Sequence, residues 1–152
     1  MNILDNVDRR ILALLQSDAT LSIADVAERV GLSQTPCWKR IKRLEADGII
    51  TNRVALLDRA KLGVGTTVFV SVRTSQHDED WLVQFAQAIR AIPEVTEFYR
   101  MSGDVDYLLK IVCRDIADYD RIYKEMIRAA RLSDVSSSFA MEQIKYTTEV
   151  PL

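Results

Sequence analysis

The sequence predicts an α+β chain in two parts: three short helices, then elements in the order β-α-β-β-α-β. Three observations predict it. Up to about residue 48, apolar residues recur at the three-to-four spacing of amphipathic helices. A charged, glycine-bearing stretch at 58–65 follows, and beyond it β-branched alternation begins at Thr66–Thr74. The length, 152 residues, suits one ordinary domain or two small ones. With 48% apolar and 28% charged residues the composition is that of a folded globular chain.

Asp5 is placed to cap a helix starting near Asn6, whose apolar face is Ile11, Leu12, Leu14 and Leu15. That helix stops before Asp18. Ser22, with Asp25 three residues on, approximates a capping box and opens a second helix. Its inward face is Ile23, Val26, Ala27 and Val30; Gly31 is the C-cap and Leu32 a buried turn residue. Ser33 caps a third helix, which tolerates Pro36 in its first turn and stops at Gly48. Ile49–Leu57 is predicted extended, with Asn52 placed to turn a small hairpin, a wing that carries Arg53 toward a phosphate.

The third helix has two faces. Cys37, Ile41 and Leu44 form an apolar stripe at i, i+4 and i+7, and Gln34, Thr35, Trp38, Lys39 and Lys42 fall mostly opposite. Lys39, Arg40, Lys42 and Arg43 place four cations together with no acid among them. Two short helices around a glycine turn, the second basic, make a helix-turn-helix. Its exposed amide, hydroxyl and cations suit a groove of double-stranded DNA. The net charge of −2 does not carry this; the local charge does, since residues 1–57 hold 8 Lys/Arg against 7 Asp/Glu and residues 58–152 hold 12 against 15. So small a basic spot binds DNA weakly and calls for dimerisation. Gln34 and Thr35 are the candidates for base edges, and Lys39, Arg40, Lys42 and Arg43 for phosphates. Arg40 has a second reading, as an ion pair with Glu45 or between helices. Trp38 either packs on sugar and phosphate or covers the helix junction.

Asp58–Gly65 is the predicted linker between a winged helix-turn-helix at 1–57 and a second domain at 66–152. In that second domain a strand at Thr66–Thr74 precedes a helix at His77–Ile92, lined by Trp81, Phe85, Ala88, Ile89 and Ile92 and broken by Pro93. Strands at Val95–Met101 and Val105–Cys113 flank the turn Ser102-Gly103-Asp104. Asp115 caps a helix faced by Tyr119, Tyr123, Met126, Ile127 and Ala130, and an extended segment runs from Val135 to Thr148. This order is the ferredoxin-like unit, an antiparallel sheet with both helices on one face. The strand Val105–Cys113 is apolar on both sides, with Leu108 and Val112 opposite Tyr107, Leu109 and Ile111, so the open face is expected to be covered by a second copy of the chain.

Enzyme chemistry finds no support. His77 is the only histidine, and no glycine-rich nucleotide loop, metal-ligand cluster or nucleophile signature occurs. The expectation is no catalytic residue, no metal and no cofactor, although ferredoxin-like dimers include small oxygenases. Tyr107, Tyr119 and Tyr123 suit a core or an interface. Cys37 and Cys113 are expected to be small buried hydrophobes; a redox role for Cys37, its pKa lowered by Lys39 and Arg40, is the alternative. No apolar run approaches the roughly 20 residues that span a bilayer, and the start of the chain lacks signal-peptide features, so a cytoplasmic location is expected.

Ser33, Cys37, Arg40-Ile41, Leu44-Glu45 and Gly48-Ile49-Ile50 resemble the helix-turn-helix signature of the Lrp/AsnC (feast/famine) transcriptional regulators. Ser102-Gly103-Asp104-Val105-Asp106-Tyr107 is similar to that family's sheet hairpin, and Met141–Lys145 to its C-terminal strand. Thr35–Arg40 and Ser136–Thr148 are closest to a DecR-like branch tied to sulphur amino-acid catabolism. The resemblance implies a RAM-type C-terminal domain, dimers that assemble further, often to octamers, and an amino-acid effector bound where dimers meet. It puts effector positions on Arg100, Met101, Gly103, Asp104 and Asp106 near the hairpin and on Ser138, Phe139 and Ala140 in the last strand. Ser138 is small where leucine-responsive members can carry a bulky aromatic, which argues against leucine. Asp106 is placed to pair with an ammonium, and backbone N–H groups around Gly103-Asp104 with a carboxylate. The plainer reading leaves Gly103 as a hairpin glycine and Asp106 as a solvated strand residue. An effector-independent architectural DNA protein is the remaining alternative.

Overall fold

The computed structural model describes residues 4–74, 79–130, 132 and 134–152. They form two compact units, the chain up to Leu56 together with Lys145–Leu152, and Leu57–Ile144.

In the first unit, α1 spans Asn6–Ser17, α2 Ile23–Val30 and α3 Gln34–Ala46. Full capping boxes start α1 (Asp5 with Asp8) and α2 (Ser22 with Asp25). Ser33 holds the N-cap position of α3 but makes no side-chain cap bond there. Helices α2 and α3 end alike, each running into a left-handed glycine, Gly31 at φ 74° and Gly48 at φ 71°. The following residue then donates back into the helix, Leu32 to the Ala27 carbonyl and Ile49 to that of Leu44. Ile11, Leu12, Leu15, Val26, Ala27, Val30, Cys37, Ile41 and Leu44 are buried together, with Leu14, Ile23 and Leu32 packed against them.

The hairpin expected around Asn52 does not form. Residues 51–58 carry no strand, and Val54, Leu56 and Leu57 stand exposed. The segment is fixed at its start instead: Ile49 and Ile50 both donate to the Leu44 carbonyl, and Arg53 pairs with Glu45 of α3 at 3.1 Å. The linker is ordered too, since the Asp58 carboxylate accepts from the backbone N–H groups of Ala60 and Lys61.

In the second unit, β1 spans Thr66–Arg73, α4 Glu79–Arg90, β2 Val95–Arg100, β3 Tyr107–Cys113, α5 Ile116–Ala130 and β4 Asp134–Phe139. The strand order is β2-β3-β1-β4 with every neighbouring pair antiparallel, the split arrangement of a ferredoxin-like sheet. One cluster joins Val68, Val70 and Val72 of β1 and Leu109 and Ile111 of β3 to Phe85 and Ile89 of α4 and Ile122 and Met126 of α5, so both helices cover the same face. Ile122, fully buried, belongs to the α5 face although the sequence pattern omitted it. His77, the predicted helix start, lies outside the described residues.

One expectation at the C-terminus needs correction. The last strand, predicted to Thr148, ends at Phe139: Ala140 donates to the Thr67 carbonyl, and then the ladder stops at fully exposed Met141. In space Lys145–Leu152 groups with the first unit. Among the described residues no strand pairs with the chain beyond Ala140, so its alternation does not extend the ladder.

Candidate nucleic-acid interface and effector positions

The geometry of α3 follows from its stripe. Cys37, Ile41 and Leu44 face the core, which turns Gln34, Thr35, Trp38, Lys39 and Lys42 outward. Along that outer face the helix changes character. Toward its N-terminus, Gln34, Thr35, Trp38 (48% exposed) and Lys39 make no side-chain hydrogen bond or ion pair among the described residues. Toward its C-terminus the cations are engaged: Lys42 with Glu45 at 2.8 Å, Arg53 with the other Glu45 oxygen, Arg43 with Asp8 at 2.5 Å. These two pairings hold the Glu45 carboxyl below its ordinary range, the hydrogen bond from Lys42 leading.

Arg40 takes the second of its two sequence readings, in the inter-helix form. It does not reach Glu45. Its Nη1 donates to Asp5 at 2.6 Å and to Asp8 at 2.8 Å, tying α3 to the start of α1. The position explains this, since Arg40 directly precedes buried Ile41 and follows buried Cys37 by three, on the flank of the stripe that faces α1. Asp8 is the residue that sequence reasoning missed. Only 1% exposed, it receives both Arg40 and Arg43. Its signal was legible: an acid inside the apolar series Leu4, Ile11, Leu12, Leu15 at helical spacing must find a cation or stay costly. Burial also pushes the Cys37 thiol up against the opposing charge of Arg40, contrary to the redox alternative, and it does the same at Cys113.

The effector positions form two groups, at opposite ends of β1. The hairpin group lies at its C-terminal end: Asp106 donates its N–H to the Val72 carbonyl and accepts from the Thr74 N–H at 2.8 Å. One oxygen of the Asp106 carboxylate is therefore held by the backbone. Arg100, Met101, Gly103 and Asp104 are exposed, and the Asp104 carbonyl accepts from Arg73 at 2.8 Å. Gly103 sits at φ 116° with no atom within 4 Å of where a Cβ would stand, so its conformation rather than crowding demands glycine. The other group lies at the N-terminal end: Ser138 pairs with Phe69, Phe139 with Val68, and Ala140 bonds Thr67. Five residues of extended chain between Phe69 and Thr74 separate the groups by about 17 Å. Strand alternation further turns Ser138 to the open sheet face and Phe139 to α5, where its ring meets Tyr119 edge-on at 5.2 Å.

The winged helix-turn-helix DNA-binding family matches residues 4–51, and the Lrp/AsnC ligand binding domain matches residues 67–150. The chain belongs to the Lrp/AsnC family. It is 51% identical over 150 residues to the DNA-binding transcriptional activator DecR of Escherichia coli, covering 98% of this chain and 99% of DecR. It is 52% identical over 149 residues to the glutamate uptake regulatory protein of Zymomonas mobilis subsp. mobilis, covering 98% of this chain and 91% of that protein. An AsnC family transcriptional regulator from Agrobacterium tumefaciens, known from its crystal structure, has 59% identity and a TM-score of 0.95 over 97% of each chain. A transcriptional regulator from Neisseria meningitidis, solved as a complex with L-Met, has 33% identity and a TM-score of 0.92, covering 98% of this chain and 97% of that one. The family places this chain among DNA-binding transcriptional regulators with a ligand-binding domain, of the DecR-like kind, and not among enzymes. No helix among the described residues is long and apolar enough to cross a membrane.

Proposed function

We propose that this Lrp/AsnC regulator reads the major groove of double-stranded DNA with the N-terminal half of α3 and senses a small amino acid at a site built by more than one copy of the chain. The observation that carries the DNA assignment is the gradient along α3. Gln34, Thr35, Trp38 and Lys39 carry donors, acceptors and a π face with no hydrogen-bond or ion-pair partner among the described residues, at the end of a recognition helix that meets base edges. Lys42 and Arg53 flank them as phosphate contacts, each giving up a solvent-exposed ion pair of small worth, while Arg43 stands beside them held to buried Asp8. Arg40 is kept from this list by its two carboxylates and supports the helix from behind.

The effector reading rests on the divided geometry. A ligand that touches both the hairpin and the end of β4 needs the two ends from different copies. The open sheet face suits that assembly: Phe69, Tyr99, Leu108 and Val112 lie on it beside the Lys110–Glu97 pair. The hairpin offers backbone N–H groups at Gly103 and Asp104 for a carboxylate. An amino acid is favoured by the L-Met complex of the Neisseria relative, and that ligand puts the sulphur amino acids first. A thermal-shift screen of the purified chain against the proteinogenic amino acids, cysteine under reducing conditions, tests it. A ligand at a hundredfold excess over its Kd adds about 2.7 kcal/mol to stability and raises the midpoint visibly. A screen in which no amino acid moves the midpoint, with or without bound DNA, leaves the architectural reading in its place.

A further inference from the structure

The first unit is built from two stretches of chain more than eighty residues apart in sequence, with the whole second unit inserted between them. The closing stretch, Lys145–Leu152, is held at one place with unusual specificity. Gln16, in the last turn of α1, donates from Nε2 to the Val150 carbonyl at 3.1 Å and accepts the Val150 N–H on Oε1 at 3.1 Å. One carboxamide thus meets both backbone groups of one residue, as a neighbouring strand would. Beside it Ser17 Oγ donates to Glu149 Oε1 at 2.6 Å. Pro151 confines Val150 to extended backbone, the conformation in which its N–H and C=O can both be met by one planar group. The strap also bounds a cleft of about 320 Å³ whose other walls include Leu12 and Leu15 of α1 and Ile49, Ile50 and Arg53 of the segment that follows α3. That segment has no second strand to brace it, and Arg53 on it grips Glu45 of α3.

We infer that Lys145–Leu152 is a working part of the DNA-binding unit: latched by Gln16 and Ser17, it braces the segment after α3 and so positions Arg53 and the end of the recognition helix. Gln16 and Val150 are positioning residues, without a phosphate contact of their own. The strap stands in for the missing half of the wing.

The experiment uses the full chain, its Gln16→Leu variant and a chain ending at Ile144. The probe is a duplex selected from a random pool by the wild-type chain. Hydrogen exchange read by mass spectrometry is expected to rise at residues 12–19 and 49–53 in both variants and to stay unchanged in Leu57–Ile144. Affinity for the duplex is expected to fall at least fivefold, with the salt slope lower by no more than about one, the single contact of Arg53. Should the shortened chain fail to fold, Gln16→Leu decides alone, since it keeps the side-chain volume and removes only the two hydrogen bonds. Unchanged exchange at 12–19 and 49–53 overturns the inference. So does faster exchange with wild-type affinity, which makes the strap a mere support, and so does a slope lowered by clearly more than the one contact of Arg53, which makes the strap itself bind phosphate.

Discussion

Asp8 decides which cations of α3 are free to meet DNA. A carboxylate 1% exposed is costly to bury without charged partners, and Arg40 and Arg43 supply them. The consequence is a split between two neighbouring basic residues. Arg40→Ala is expected to cost about 1–2 kcal/mol by urea unfolding, the order of a lost charged hydrogen bond to a partner left buried, and to leave the salt slope of DNA binding untouched. Lys39→Ala is expected to do the reverse: stability unchanged and the slope lower by about one phosphate contact. A slope lowered by Arg40→Ala would return that residue to the phosphates. In the second unit the Asp118 carboxylate is held well below its ordinary 3.8, chiefly by the Arg114 side chain, then by the Arg114 N–H and by Arg121. A depressed carboxylate stabilises fully above its unfolded value and loses that contribution as pH falls through the folded one. Asp118→Asn is therefore expected to lower the thermal midpoint at pH 7, with the gap to wild type closing as the pH is taken below about 4. A gap that stays constant would assign the loss to packing.

Element by element, legibility in the sequence tracked how local the determining physics is. Asp5, Ser22 and Gly31 announced the ends of α1 and α2 because caps and left-handed glycines act within a few residues. The same locality gives a prediction: Gly31→Ala places a Cβ at φ 74° where open space exists but the conformation is strained, so about 1 kcal/mol of stability should be lost from the first unit alone. A two-transition melt checks it, and a shift in both transitions would contradict it. The wing and the end of β4 were not legible, because a strand exists only by its partner. Alternation at Val54–Leu57 and around Ile144–Tyr146 signals extended chain, and nothing in either stretch states what lies beside it. Of the candidate site, the face of α3 was visible in its heptad-like stripe. The pairing of Arg40 was open, since Glu45 was near in sequence and Asp8, its buried partner, was 32 residues away.

At the scale of the whole molecule the strongest demand comes from the open sheet. Phe69 is 39% exposed there, set between Lys110 of β3 and Ser138 of β4, and half-buried Leu108 continues the apolar patch. The proposed sensing site and the proposed dimer are then one question, because the hairpin and β4 groups lie about 17 Å apart within a chain. Phe69→Glu introduces a charge that a second copy of the same face would have to bury, at a cost of several kcal/mol per dimer since each face carries one. Light scattering is expected to show the variant as a monomer, with the second unit still folded because Phe69 contributes nothing to the buried core. The amino acid that raises the wild-type midpoint should then leave the variant's midpoint unmoved, and DNA affinity should fall as paired recognition helices become single ones. A monomeric variant that still responds to the ligand would place the whole site within one chain, on the hairpin alone, and would separate sensing from assembly.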